Sequence, residues 1–126
     1  MIDIPKQITY WRDGAQEDLV VAEELMVHGR IRHGLFFAQL ALEKLLKAHV
    51  CQHKGDIAPR IHNLVRLAEL AEIPLEQEQV YVLAEMNSFN IEGRYPESLT
   101  PPPTLEEARS YLTRAKEVFE WLMNRL

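Results

Sequence analysis

The sequence contains one cysteine, no long uncharged apolar run and no excess of basic residues, and each absence excludes a class of protein. Cys51 alone cannot form an intramolecular disulfide, so the fold must be held by its core. No stretch reaches the ~18 uncharged apolar residues that a membrane-spanning helix needs. The formal charge of -5 argues against a general electrostatic attraction to nucleic acid or to anionic membranes.

The first residues also lack a basic start followed by an apolar run, so the sequence predicts no signal peptide. We therefore expect a cytoplasmic protein. The 126 residues fit one domain, spanning 1–126, and are enough to bury a core without metal or disulfide. We predict no cofactor and no membrane partner.

Residues 34–54 carry apolar side chains around most of a helix circumference. Such a helix is usually buried on most sides, so this segment is predicted to be the central helix, with Cys51 as a buried, reduced thiol. Gln39, Glu43 and Lys47 are spaced i, i+4 and i+8 and form a thin polar line on it. Polar groups among leucines cost free energy unless they are paired, so we expect them to have a defined partner.

The rest of the chain is predicted to be helical around this segment, without strands. Residues 1–8 are predicted to form a short lead-in broken by Pro5. The segment 90–103 is predicted to be irregular because Gly93, Pro96 and three consecutive prolines cannot propagate a helix. Thr104 and Glu107 form a capping box that starts the last helix. The sequence thus predicts an all-α, up-and-down bundle of four to five helices, the others spanning about 9–28, 62–71 and 75–89.

Within the irregular segment, the loop 90–96 is the first candidate site. Arg94 and Tyr95 place a guanidinium group next to an aromatic ring, a pairing suited to a phosphate and a stacked base. Gln39, Glu43 and Lys47 would then line a polar cleft below this segment. In the structural alternative, Arg94 pairs with a helix carboxylate such as Glu43 and Tyr95 fills the end of the bundle. The residue types alone favour that alternative, because exposed arginines mostly do no chemistry.

The histidines are further candidates. His49 and His53 have the i, i+4 spacing of a zinc pair, but no glutamate follows His49 and Cys51 projects from the other side of the helix. We predict no metal site there and expect both histidines where the helix end meets water. His62 could act as a base near neutral pH. It could equally hydrogen-bond a loop carbonyl or cap the third helix, and the sequence leaves these alternatives open.

Several segments together resemble the HEPN family, the higher eukaryotes and prokaryotes nucleotide-binding domains. In the first helix the resemblance rests on Trp11, Ala15, Asp18, Leu19, Ala22 and Leu25. In the central helix it rests on Phe37-Ala38-Gln39, Ala41, Glu43-Lys44 and Leu46-Lys47-Ala48. Beyond these it rests on His62-Asn63-Leu64 and Arg94-Tyr95-Pro96.

The resemblance implies a four- to five-helix bundle that is commonly a homodimer. In prokaryotes such proteins are often encoded beside a small nucleotidyltransferase, as a toxin–antitoxin-like pair or as a nucleotide-binding partner. Many are metal-independent RNases that use an Arg-x(4–6)-His motif. This sequence departs from that motif, because the required offsets after Arg94 fall on Leu99, Thr100 and Pro101, and no other arginine is followed by a suitably spaced histidine.

We therefore predict a non-catalytic, homodimeric HEPN protein that binds a nucleotide, a small nucleotidyltransferase or both. An RNase with a non-standard Arg94 and His62 site acting on an RNA ligand, and a purely structural adaptor, remain alternatives. The predicted ligand-binding residues are Arg94, Tyr95, Glu43, Lys47, His62 and Gln39.

Overall fold

Five α-helices form the fold in a computed structural model, which describes residues 1–94 and 101–126 without the side chains of 91–94. The helices are α1 (Ile4–Val27), α2 (Ile31–Lys54), α3 (Leu64–Leu70), α4 (Gln77–Arg94) and α5 (Leu105–Asn124). The described residues include no strand, so the predicted all-α helical bundle is confirmed. Within these residues, no helix combines the length and the apolar character that a membrane-spanning segment requires.

The central position predicted for the second helix is confirmed. α2 contacts each of the other four helices, most extensively α1. Its leucines at 35, 42, 45 and 46 are fully or almost fully buried, and Cys51 is a buried, free thiol whose pKa is raised by burial. A helix surrounded by neighbours can keep apolar side chains on nearly its whole circumference.

The first helix starts earlier than predicted, at Ile4 rather than after a lead-in over 1–8. The carboxylate of Asp3 accepts a hydrogen bond from the backbone N–H of Lys6 at 3.1 Å and caps the helix. Pro5 lies in the first turn, where a missing N–H removes no helical hydrogen bond. Pro5 therefore belongs to the start of the helix instead of breaking it.

The fourth helix runs to Arg94, so the prediction of irregular chain from residue 90 is wrong for 90–94. Asn90 is buried and donates a hydrogen bond to Gln39 of α2. This hydrogen bond holds the helical turn at Asn90 against α2. Residues 95–100 lie outside the described residues, and residues 101–103 are irregular, as predicted. The capping box at Thr104 and Glu107 is present, with both of its hydrogen bonds, and hydrogen bonding from Thr104 lowers the pKa of Glu107.

Candidate functional site

The polar line on α2 is buried and internally paired. Gln39, Glu43 and Lys47 retain 0%, 4% and 7% of their surface exposure. Gln39 Nε2 donates to Glu43 Oε1 at 3.2 Å, and Lys47 Nζ donates to Glu43 Oε2 at 3.1 Å. The i, i+4 spacing places the three side chains on one face of the helix, so each can reach the next. Glu43 therefore lies between two donors, one of which carries the compensating charge.

His62 covers this buried carboxylate from the outside. Its Nδ1 lies 3.2 Å and 3.1 Å from the two oxygens of Glu43, while the imidazole is 57% exposed. A carboxylate only accepts hydrogen bonds, so Nδ1 is the protonated nitrogen and, in the neutral ring, Nε2 keeps its lone pair. The backbone carbonyl of His62 also accepts a hydrogen bond from Gln39 Nε2 at 3.2 Å. The imidazole is thus fixed on one edge and accessible over the rest of its surface.

The third helix is capped by the next residue, not by His62. Asn63 accepts a hydrogen bond from the backbone N–H of Arg66 at 3.0 Å, and α3 begins at Leu64. His62 is therefore neither a helix cap nor the first residue of α3, and its side chain pairs with Glu43 instead.

Two asparagines of α4 also hydrogen-bond to residues at or next to the site. The sequence analysis assigns no role to either of them. Asn90 Nδ2 donates to Gln39 Oε1 at 3.1 Å. Asn87 Oδ1 accepts from the backbone N–H of Leu64 at 2.8 Å, and its Nδ2 donates to Asn63 Oδ1 at 3.3 Å. Asn87 and Asn90 are three positions apart, so on a helix they share one face. This relation cannot be recognised when the chain from residue 90 is predicted to be irregular.

Four of the six predicted ligand-binding residues are therefore in contact, namely Gln39, Glu43, Lys47 and His62. Arg94 is the last residue of α4, one helical turn beyond Asn90, and its side chain lies outside the description. Tyr95 also lies outside the described residues. The pairing of Arg94 with Glu43 or Lys47, and the role of Tyr95, stay predictions.

Trp11 of α1, one of the residues that carry the HEPN resemblance, lies next to the buried Lys47. Lys47 Nζ lies 5.1 Å from the centroid of the Trp11 ring, a cation–π contact between α1 and α2. Trp11 Nε1 is buried and has no hydrogen-bond partner among the residues that the structure describes. The neighbouring Lys44 belongs to a separate pair, with Asp18 of α1 at 2.8 Å.

The two histidines near the end of α2 have different surroundings. His49 is buried and donates from Nε2 to the carbonyl of Leu122 at 2.9 Å, so the expectation that it meets water is wrong. His53 is exposed and pairs with Glu72. In 1–94 and 101–126, no cluster of three or more His, Cys, Asp or Glu side chains could hold a metal ion.

Acid should weaken the fold through His49. Burial is the main cause that lowers its pKa, Arg125 lowers it further, and the hydrogen bond to Leu122 partly opposes them. Below the ordinary histidine pKa of about 6.5 the unfolded chain takes up a proton that the folded protein resists, so stability falls as the pH drops. We expect His49→Gln to reduce the loss in stability between pH 7 and pH 5, by at most about 1.4 kcal/mol per pH unit.

Urea denaturation at a series of pH values measures this difference. His53→Gln is the matched control, because His53 is exposed and its substitution should leave the pH dependence close to that of the wild type. Parallel profiles for the His49→Gln variant and the wild type would contradict the assignment.

Comparison with known proteins agrees with this architecture. The model of the HEPN domain matches residues 8–126. The solved structure of TT1696 from Thermus thermophilus has a TM-score of 0.78 and 23% identity, with 95% of this chain and 98% of that chain covered. ST0689, an archaeal HEPN homologue, has a TM-score of 0.73 and 20% identity, with 94% and 96% covered. No curated protein matches the sequence significantly.

At such identities the two solved structures show a shared fold and nothing more. The family itself is shown by the domain model, which extends over nearly all of α1 and all of the other four helices. The segments that resemble HEPN proteins in the sequence, including those of α2 and the turn at His62, lie within the matched range. This chain therefore belongs to the HEPN family.

Proposed function

We propose that this HEPN protein binds a nucleotide where His62 covers Glu43, and that it serves as the binding partner of a small nucleotidyltransferase in a toxin–antitoxin-like pair. In this proposal, Arg94 grips a phosphate and Tyr95 stacks on the base. Gln39, Glu43 and Lys47 form the floor that holds His62 in place. The protein would act without catalysing a reaction of its own.

The fixed but exposed imidazole is the observation that carries the proposal. Glu43 holds its Nδ1 from below, and the charge of Glu43 is compensated by Lys47 at 3.1 Å, so the buried carboxylate repels an incoming phosphate less. A side chain already held in one orientation loses little entropy when it binds.

Calorimetric titration with a panel of nucleotides tests the proposal. We expect His62→Ala to weaken binding about tenfold, because a hydrogen bond to a charged group is lost. His53→Ala is the matched control: His53 is also an exposed histidine paired with a carboxylate, but it lies near the C-terminal end of α2, away from Glu43. The control should bind like the wild type, and Arg94→Ala should weaken binding as well.

The same titration separates the proposal from a structural role. If none of the nucleotides produces heat with the wild type, the small-ligand part of the proposal is wrong. If His62→Ala lowers only the unfolding midpoint and leaves binding unchanged, the network is a structural adaptor. The partner part is tested separately, by whether the product of a neighbouring nucleotidyltransferase reading frame co-purifies with this chain.

The Glu43–His62 contact also favours a second candidate, a metal-independent RNase. A carboxylate that holds Nδ1–H orients the imidazole and leaves Nε2 to accept a proton, as a general base does. In such a reaction Nε2 would take the proton of an RNA 2′-hydroxyl, whose oxygen attacks the adjacent phosphorus to form a 2′,3′-cyclic phosphate. The P–O5′ bond breaks, the leaving 5′-oxygen takes a proton from water, and Arg94 would stabilise the phosphate charge. Metal-free RNA cleavage that disappears in both His62→Ala and Arg94→Ala would favour this candidate over the non-catalytic one.

A further inference from the structure

Two buried hydrogen-bond donors lie close together where α1 packs against α2, and one of them has no acceptor among the described residues. The Lys47 side chain is only 8% exposed, and its ammonium group donates to Glu43 Oε2. The indole of Trp11 lies beneath that ammonium group, 5.1 Å from Nζ to the ring centroid. The indole Nε1–H is buried and has no acceptor within 1–94 and 101–126.

The donors at this place outnumber the acceptors. An ammonium group has three N–H bonds and an indole has one, and neither group can accept. Within the described part of the chain, Glu43 Oε2 is the acceptor that Lys47 Nζ has, and Trp11 Nε1 has none. Buried donors are almost always paired in folded proteins, and those that are not require an explanation such as an ordered water or a bound ion. This place therefore lacks a further oxygen atom to accept hydrogen bonds from these donors.

The carboxylate of Glu43 connects this place to His62. Glu43 Oε2 lies 3.1 Å from Lys47 Nζ and 3.1 Å from His62 Nδ1. The same oxygen therefore contacts both side chains. Gln39 donates to the other oxygen of the same carboxylate. Because three donors contact Glu43, its negative charge is compensated locally, and the carboxylate repels an anion near Lys47 and Trp11 less than an unpaired carboxylate would.

We propose that Trp11 Nε1 and Lys47 Nζ bind phosphate oxygens, as an extension of the nucleotide site at His62. This inference rests on the proposed nucleotide binding and specifies it further, because it adds a donor from α1 and assigns the buried lysine to the phosphate group. The indole N–H and the ammonium group are both donors, and neighbouring donors suit an oxyanion with several equivalent oxygens. The phosphate could belong to a nucleotide or to a free inorganic phosphate, and both share this chemistry.

Trp11→Phe is the decisive variant. Phenylalanine keeps an aromatic ring beneath Lys47, so the cation–π contact survives, but it removes the N–H donor. The fluorescence of Trp11 can be observed alone in a Trp121→Phe background, since Trp121 is the other tryptophan of the chain and contacts Arg125 near the end of α5. Full-length protein would be titrated with nucleotides in one series and with inorganic pyrophosphate in the other.

We expect a saturable change in Trp11 emission with both ligands in the Trp121→Phe background. In the otherwise wild-type protein, Trp11→Phe should weaken binding about tenfold while leaving the unfolding midpoint unchanged. If a nucleotide binds in a His62-dependent manner but Trp11 emission and the affinity of the Trp11→Phe variant do not change, this inference is wrong and the proposed function stands. If pyrophosphate changes Trp11 emission but no nucleotide binds, the phosphate site stands and the proposed nucleotide function is wrong. If neither ligand affects Trp11, the donors are not a phosphate site.

Discussion

Replacing Glu43 with alanine is expected to destabilise the protein by about 3–5 kcal/mol, the usual cost of removing one partner from a buried ion pair. The Lys47 ammonium group lies on a side chain only 8% exposed and would lose its carboxylate partner. Gln39 and His62 would lose a hydrogen-bond partner at the same time. This is a large part of the ~5–15 kcal/mol that stabilises a typical domain. Urea denaturation of wild type and variant measures the difference.

Two further variants show whether the uncompensated charge causes that loss. Replacing both Glu43 and Lys47 with leucine removes both charges, and such replacements of buried pairs are often neutral or stabilising, so the double variant should be clearly more stable than Glu43→Ala. Arg66→Ala is the surface control, because Arg66 and Glu69 form an exposed pair that should contribute less than about 1 kcal/mol. A double variant as unstable as Glu43→Ala would mean that hydrogen bonding and packing, rather than charge, dominate at Glu43.

Replacing Leu45 with alanine should destabilise the protein by about 2–5 kcal/mol. Leu45 has no exposed surface and lies on the helix that contacts all four others, so several elements would have to move to close the cavity. Val20→Ala is the matched control, because Val20 is 54% exposed on α1 and should change stability by less than about 0.5 kcal/mol. Equal losses in the two variants would contradict the central role of α2.

The parts of the fold that can be predicted correctly from the sequence depend on local patterns. The apolar circumference of 34–54 indicates a central helix, and Thr104 with Glu107 marks the start of α5. The errors at Ile4 and after residue 90 have a common origin. Both come from treating Pro5 and Gly93 as helix breakers, but Pro5 occupies the first turn and Gly93 lies inside α4, whose turn at Asn90 is held by Gln39. Tertiary contacts outweigh a modest loss in local propensity.

The candidate site is predictable only in part, for the same reason. The i, i+4 spacing indicates that Gln39, Glu43 and Lys47 share a face. The contact between His62 and Glu43 spans 19 positions and that between Asn90 and Gln39 spans 51, so neither follows from local periodicity. The unpaired indole N–H of Trp11 depends on the placement of single atoms, which no residue pattern encodes.

The side-chain amide of Gln39 has one orientation available to it. Its nitrogen donates to Glu43 and to the backbone of His62, and its oxygen accepts from Asn90. One carboxamide thereby joins the segment before α3 to the end of α4, in addition to the hydrogen bonds that Asn87 makes with Leu64 and Asn63. Insertions or deletions in the loops on either side of α3 can therefore change the length of the protein while the imidazole and the last turn of α4 keep their spacing.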